Sequence, residues 1–488
     1  MTPTPRTLPL LYVLLGFSAG LPFYMFSTVL SVRLTEHGVP LAVIGFFGWV
    51  QLLPTFKFLW APLLDRFAVP GFGRFWGKRV GWIMLAQLGI FTSLVAMALT
   101  AGDTSLPVTA LFATLLAFWT TTLEVAADAW RIELAPTPET QGPLTAANLW
   151  GYRTAMVAAG SGALLVADTH GWTASYLLIA AAAFLPLPIL AGLRPAGEGG
   201  GRVVALGTGV AASLGILAAA ALAAAAVGSA LLAAAGALGI GAGSNVTPWV
   251  LGLAMLPFLA MAAALPAIRR AAPGSWLRGS AAVGPYVDFF WRYGGLAIAL
   301  MAFVSVYRMG DVLALNLSKP MILGLGYTKA QIGWADGLVA LAASIVGVGF
   351  GGWTVTRWRW SVTLALGALF AALGNWGFVW LAHQPRDQAL LYLATAADQF
   401  GNGMAGAVFV VYLSMLVNPR FAGAQYAFLS GFAFLLPRLL AGAGGSVISR
   451  LDAAGYPGFD LFFLASGVIS LAALLFLPVV LRAKARSA

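Results

Sequence analysis

The chain has 488 residues, of which 60% are hydrophobic and 9% charged, with a net charge of +11 and no cysteine. A water-soluble chain of this composition would expose more apolar surface than water tolerates, and the apolar residues run in blocks of about twenty, the length that crosses a bilayer. The basic balance is not a nucleic-acid footprint, because Lys and Arg cluster between the apolar blocks; the lack of cysteine excludes disulfides, thiolate nucleophiles and sulfur-ligated metals.

In chain order the predicted spans begin with Leu8 to Val32, Leu41 to Trp60, Val80 to Thr100, Leu106 to Trp130, Leu144 to Ala167 and Trp172 to Leu193, a first bundle of six over residues 1–196. The first stretch is full length and is followed at once by others, so it is expected to stay in the membrane rather than be cleaved. Residues 197–285 form a linker rich in Ala and Gly. Its run from Val203 to Gly241 is too long for one straight spanning helix, so two extra spans are expected, Val203 to Ala226 and Pro248 to Ala267, with an external stretch between them. Their lack of charge favours a tether over a transport role. Tyr293 to Leu317, Ile332 to Thr354, Val362 to Leu381, Ala389 to Val417, Gln425 to Ile448 and Leu461 to Leu481 make a second bundle of six over 286–488. The expected architecture is an all-α polytopic membrane protein with fourteen spans.

Placing both termini in the cytoplasm puts Arg66, Arg74, Lys78, Arg79, Arg357 and Arg359 inside and leaves few cations outside, among them Arg33, Lys319 and Arg386, as the positive-inside rule requires. The three histidines, His37, His170 and His383, fall in outer loops, which supports neither a metal site nor a buried histidine relay. No cofactor is expected.

The charges that remain inside the spans are costly, about 2.5 to 3.5 kcal/mol each at bilayer depth, and such residues mark ion or substrate paths. Glu124 and Asp128 stand at i and i+4 on one face of the fourth span, with Arg131 a turn further. Two acids in a poorly hydrated cavity cannot both ionise cheaply, so one of them can carry a proton; the alternative is a structural network with Lys57 and Arg131. Arg308 and Asp311 lie in the first span of the second half, which should break near Pro320. They are either an internal ion pair or a site offering a guanidinium to a carboxylate and an acceptor to sugar hydroxyls. Asp398, Gln399 and Asn402 share a face of the span that corresponds to the fourth. Tyr24, Trp119, Trp150 and Tyr152 are candidates for stacking on a sugar, against the alternative of packing on a neighbouring helix.

Six spans, a linker and six spans suggest parallel halves with a substrate path between them near the midplane, the major facilitator plan. The loop Ala61-Pro-Leu-Leu-Asp65-Arg66, followed by Gly73-Arg74 and Gly77-Lys78-Arg79, resembles the loop signature of that superfamily, with an insertion containing Pro70 and Gly71. An Asp at the inner end of one helix can sit against the positive N-terminus of a helix from the other half and hold the inner gate shut. Asp65 is the candidate, with Arg66, Lys57, Arg131 and Asp398 as further gating residues; topology control is the alternative for Arg66, Lys78 and Arg79. The matching stretch of the second half, Gly351 to Arg359, keeps the glycines and the basic residues and lacks the acid.

Leu15-Gly-Phe-Ser-Ala-Gly-Leu-Pro22, Phe56-Lys57-Phe-Leu-Trp-Ala-Pro-Leu-Leu-Asp65-Arg66, Asp128-Ala-Trp-Arg131, Gly151-Tyr152-Arg153 and Tyr307-Arg308-Met-Gly-Asp311 together resemble the AmpG-type muropeptide permeases of the major facilitator superfamily. Two departures stand out. The family often has Gln-Asp where this chain has Leu123-Glu124, and some members carry two additional spans after the second bundle rather than between the bundles. The resemblance implies a monomeric, proton-coupled secondary transporter of the bacterial inner membrane that imports anhydromuropeptides, GlcNAc-anhydroMurNAc peptides, for cell-wall recycling. Its partners would be the sugar-peptide, protons and membrane lipids. A siderophore or another bulky solute is the alternative cargo. A membrane-embedded transferase is the alternative of another class, and the sequence offers it no metal-ligand set, no paired nucleophile and base, and no phosphate-binding loop.

Overall fold

The computed structural model describes residues 7–39, 48–100, 106–193 and 202–237, isolated positions among 259–270, and 274–482 apart from 281, 316, 442, 443 and 479. Among the described residues there are helices and turns and no strand, and ten helices are long and apolar enough to cross a membrane. The chain forms two compact units. One comprises 1–133, 154–264 and 420–427, and the other 134–153, 265–419 and 428–488. The helices Pro138–Val157 and Ala422–Ala441 therefore each contribute several residues to both.

In the first unit the opening span runs from Thr7 to Leu34 and carries a π-helical stretch at Met25–Val29, which packs on a second such stretch at Ala158–Gly162. The expected second span lies partly outside the described residues. Its described part, Gly48–Leu59, is a 3₁₀ helix containing Pro54 rather than an α-helix. Lys78–Leu99 and Leu106–Leu134 follow as continuous helices. In Leu106–Leu134 the hydroxyls of Thr120, Thr121 and Thr122 donate to the carbonyls four residues back at 2.6 to 2.7 Å, so three consecutive polar residues are satisfied within the helix itself. The expected fifth and sixth spans form one apolar run, Pro138–Gly192. It is 55 residues long, enough for two passes, and bends at Gly171, whose φ of 81° suits glycine.

The linker differs from expectation. Instead of stopping near Ala226, one helix continues from Arg202 to Ala237, because nothing in that Ala-rich run breaks it. Val203, Val204, Leu214 and Leu222 are exposed around it, the pattern of a helix solvated by lipid. Its first turns are held against the Pro70-Gly71 insertion: Gly209 lies on the Phe72 ring and Thr208 on Gly71 so closely that a Cβ has no room. Most of the expected span Pro248 to Ala267 lies outside the described residues, and among the described residues the candidate spans number ten.

In the second unit Ala340–Arg357 and Trp360–Ala382 both pack on Gln388–Leu416, with Gly347 against Phe400 and Gly374 against Asp398 allowing close backbone approach. The first span of this half is interrupted at Arg308, where Leu296–Tyr307 gives way to Met309–Leu315, and again between Leu315 and Ser318, close to the break expected near Pro320. Pro320 sits in the first turn of the short helix Ser318–Gly324, where its missing N–H leaves no helical bond unmade.

Candidate functional site

Each unit holds its own polar set. In the first, Glu124 and Asp128 project from Leu106–Leu134. Lys57 Nζ stands 3.8 Å from Glu124 Oε2, and Arg131 Nη2 donates to Asp128 Oδ1 at 2.8 Å. Both acid side chains are partly exposed, 25% for Glu124 and 19% for Asp128, whereas Arg131 is 1% exposed. Tyr426 joins the two pairs: the Lys57 ammonium lies 5.9 Å and the Arg131 guanidinium 5.7 Å from its ring centroid. Behind them Trp60 donates to Thr122 Oγ1 at 3.1 Å, and Tyr12 to the Ala127 carbonyl at 3.3 Å.

A second cluster in the same unit surrounds Asp65. Its two carboxylate oxygens accept from the backbone N–H of Gly423 at 3.1 Å and of Ala424 at 2.7 Å, in the first turn of Ala422–Ala441. A carboxylate there satisfies donors that have no intrahelical partner and faces the positive end of the helix dipole. Gly423 permits the approach, since a Cβ on it would fall 2.8 Å from Asp65 Oδ1. Arg79 completes the cluster. Its Nη2 reaches Asp65 Oδ1 at 2.7 Å and Glu133 Oε1 at 2.6 Å, and its Nη1 donates to the Leu64 carbonyl at 3.1 Å.

In the second unit two guanidiniums converge on one amide. Arg153 Nη2 and Arg308 Nη2 each donate to Asn402 Oδ1 at 3.0 Å, and Arg308 Nη1 lies 2.8 Å from Asp311 Oδ2. The interruption of the helix at Arg308 is what turns that side chain toward Asn402. Gln399 donates to Asp398 at 2.9 Å one turn away.

The aromatic candidates divide. Trp119 is buried on Gly89, where its ring fills the space of a missing Cβ, so it is a core residue rather than a face for a sugar. Trp150 is partly exposed but donates its indole N–H to the Ile345 carbonyl at 2.9 Å and rests on Gly349. Tyr24 and Tyr152 are half-buried, Tyr24 beside Gly160. Arg66 is exposed over Phe67 and takes no part in the Asp65 cluster. Arg79 holds that place because its helix starts at Lys78 and carries the guanidinium inward. Glu133, Tyr426 and Gly423 were missing from the sequence-based candidates, and of these only Glu133 carried a signal, a charge near a predicted span. Arg153 is near enough to a predicted span for gating or substrate contact, with snorkelling to the interface as the alternative.

Among the described residues no group of three His, Cys, Asp or Glu side chains could hold a metal ion.

No family model matches the chain. It is similar to the putative transporter AmpG 4 of Rickettsia conorii, 26% identical over 466 residues covering 95% of this chain and 94% of that protein. It is 25% identical to the anhydromuropeptide permease of Escherichia coli K12 over 473 residues, 96% of this chain and 79% of that protein. Among solved structures, the major facilitator proton:xylose symporter XylE bound to 6-bromo-6-deoxy-D-glucose superimposes with a TM-score of 0.59 at 15% identity, covering 97% of this chain and 94% of that one. A double-tryptophan mutant of XylE gives 0.62 at 13% identity with 98% of both covered. The fold is that of the major facilitators. The resemblance to the AmpG-type permeases extends over nearly the whole chain, and the protein is a multi-pass membrane transporter rather than an enzyme.

Proposed function

We propose that this transporter imports anhydromuropeptides, GlcNAc-anhydroMurNAc peptides, across the bacterial inner membrane by proton-coupled alternating access, acting as a monomer with both termini cytoplasmic. The observation that carries the coupling is the pair Glu124 and Asp128, one helical turn apart within a spanning helix, each beside one cation and each still partly exposed. A carboxylate at bilayer depth that loses its cation is left as an unpaired charge, which is costly there. Moving one charge down the membrane potential releases about 2.3 kcal/mol per 100 mV, enough to bias import.

The cargo is read from two supports. One is the E. coli relative, whose name is that of an anhydromuropeptide permease. The other is the set of Arg153, Arg308, Asp311 and Asn402, which offers guanidiniums to peptide carboxylates and both acceptors and donors to sugar hydroxyls. Gln399, Trp150, Tyr24 and Tyr152 are assigned to the walls of the substrate path. Asp65 is assigned to the inner gate: its bonds to Gly423 and Ala424 tie residues 420–427 to the first unit, and opening breaks them. Lys57 and Arg131, as the partners of Glu124 and Asp128, and Asp398, which accepts from Gln399, are assigned to gating.

Reconstitution in proteoliposomes tests the reading. Labelled GlcNAc-anhydroMurNAc tripeptide is expected to accumulate under an inward proton gradient and to leak back when a protonophore is added. Accumulation that ignores the protonophore overturns the coupling, and accumulation of a ferric siderophore in place of the tripeptide overturns the cargo.

A further inference from the structure

The loop around Asp65 and its counterpart in the second half differ in one respect that changes their chemistry. In the first, Arg79 is neutralised by Asp65 and Glu133. In the second, Gly351 to Arg359 keeps the basic residues without the acid, and among the described residues neither Arg357 nor Arg359 has a hydrogen-bonding or ionic partner for its guanidinium. Both are exposed, on either side of Trp358, at the turn between the spanning helices Ala340–Arg357 and Trp360–Ala382. They line a cleft of about 560 Å³ whose remaining walls include Pro138, Ser361 and Leu481. Glu139 also lines it, yet pairs with neither arginine. The Ser361 hydroxyl points to no acceptor or donor among the described residues.

We propose that this cleft binds a phosphate group, supplied by the headgroup of an anionic phospholipid. Two guanidiniums flanking one residue, with a hydroxyl beside them, present several donors to a tetrahedral anion, and charge-assisted bonds of this kind are the strong ones. The place favours a lipid as the source. The turn joins two membrane-crossing helices, so it sits at headgroup depth, and the proposed orientation puts it at the cytoplasmic leaflet, where basic pockets between helices recruit anionic headgroups. Beside it lies an aromatic platform: Trp353 and Trp358 are 47% and 41% exposed, with ring centroids 5.3 Å apart, and Phe350 stacks on Trp353 at 5.8 Å. Exposed indoles at this level mark the membrane interface and would lie along the acyl chains just below the headgroup.

The test uses the full chain purified in a neutral detergent and does not depend on what is transported, so its failure leaves the import proposal standing. Native mass spectrometry should show phosphatidylglycerol retained at least ten-fold better than phosphatidylcholine, together with a rise in melting temperature. The double variant Arg357→Gln, Arg359→Gln should lose that preference, as should Arg357→Gln alone in part, while Arg278→Gln, which removes a cation elsewhere, should keep it. Equal retention of phosphatidylglycerol by wild type and the double variant overturns the site. If the double variant does not fold, Ser361→Ala, with its expected weaker retention, decides in its place. A melting shift from inorganic phosphate as large as that from the lipid overturns the lipid as source.

Discussion

The two polar sets use opposite chemistries. In the first unit acids stand in the partly exposed position and cations hold them from behind, Lys57 beside Glu124 and a fully buried Arg131 beside Asp128. In the second unit the cations converge instead, Arg153 and Arg308 meeting on the neutral Asn402, while the acid, Asp311, is buried. In the first unit the acids are the more exposed members of their pairs; in the second Arg308 and Asp311 are both buried and Arg153 is partly so, the difference on which the proposed coupling and cargo roles rest.

The comparison breaks most severely at Arg308. Arg308→Ala leaves Asp311 as an uncompensated buried charge, with an expected stability loss of about 3 to 5 kcal/mol, read as a lowered melting temperature; the double variant Arg308→Gln, Asp311→Asn should recover most of it. Unchanged melting in the single variant would mean that the pair carries no energy. Next comes Asp128→Asn. If Asp128 carries the proton, the accumulation ratio at 100 mV should fall by about fifty-fold, the equivalent of about 2.3 kcal/mol, in proteoliposomes that contain normal amounts of protein. Accumulation at the wild-type ratio would remove Asp128 from the coupling role. Asp65→Asn keeps one acceptor and loses the charge at the helix N-terminus, worth about 0.5 to 2 kcal/mol. Labelling of a cysteine introduced near Gly423 should then speed up several-fold as the inner end opens more often. The smallest effect is expected at Arg66→Gln, within about 0.5 kcal/mol, since its side chain lies exposed on Phe67; a loss as large as that of Asp65→Asn would return it to the gate.

Glu124 and Asp128 were legible in the sequence because an acid inside an apolar block has no reason to be there except a partner or a path. Asp65 was legible for a related reason, as an acid at the end of a span beside basic residues. Arg79 was harder to read, because nothing local distinguishes it from Lys78 or Arg66. What selects it is Glu133, 54 residues away. Arg153 and Asn402 are 249 residues apart, and no periodicity predicts their meeting. Trp119 and Trp150 carry the same side chain in similar apolar surroundings, yet one fills the space over Gly89 and the other keeps an exposed edge. The first span of the second half breaks before Ser318, near the expected Pro320, and has a further interruption at Arg308, a residue with no local breaking signal, whose side chain bonds to Asn402.

By itself the sequence determined that the chain is helical and membrane-spanning, because block length and charge placement are properties of contiguous residues answered by the bilayer. It also marked the few charges too costly to be accidental. Only the tertiary structure decided which of those charges meet, which tryptophan is core, and that the linker helix rests on Phe72 and Gly71. Those outcomes depend on the packing of helices remote in the chain, where one missing Cβ or one interrupted turn sets the distance between groups that local patterning leaves independent.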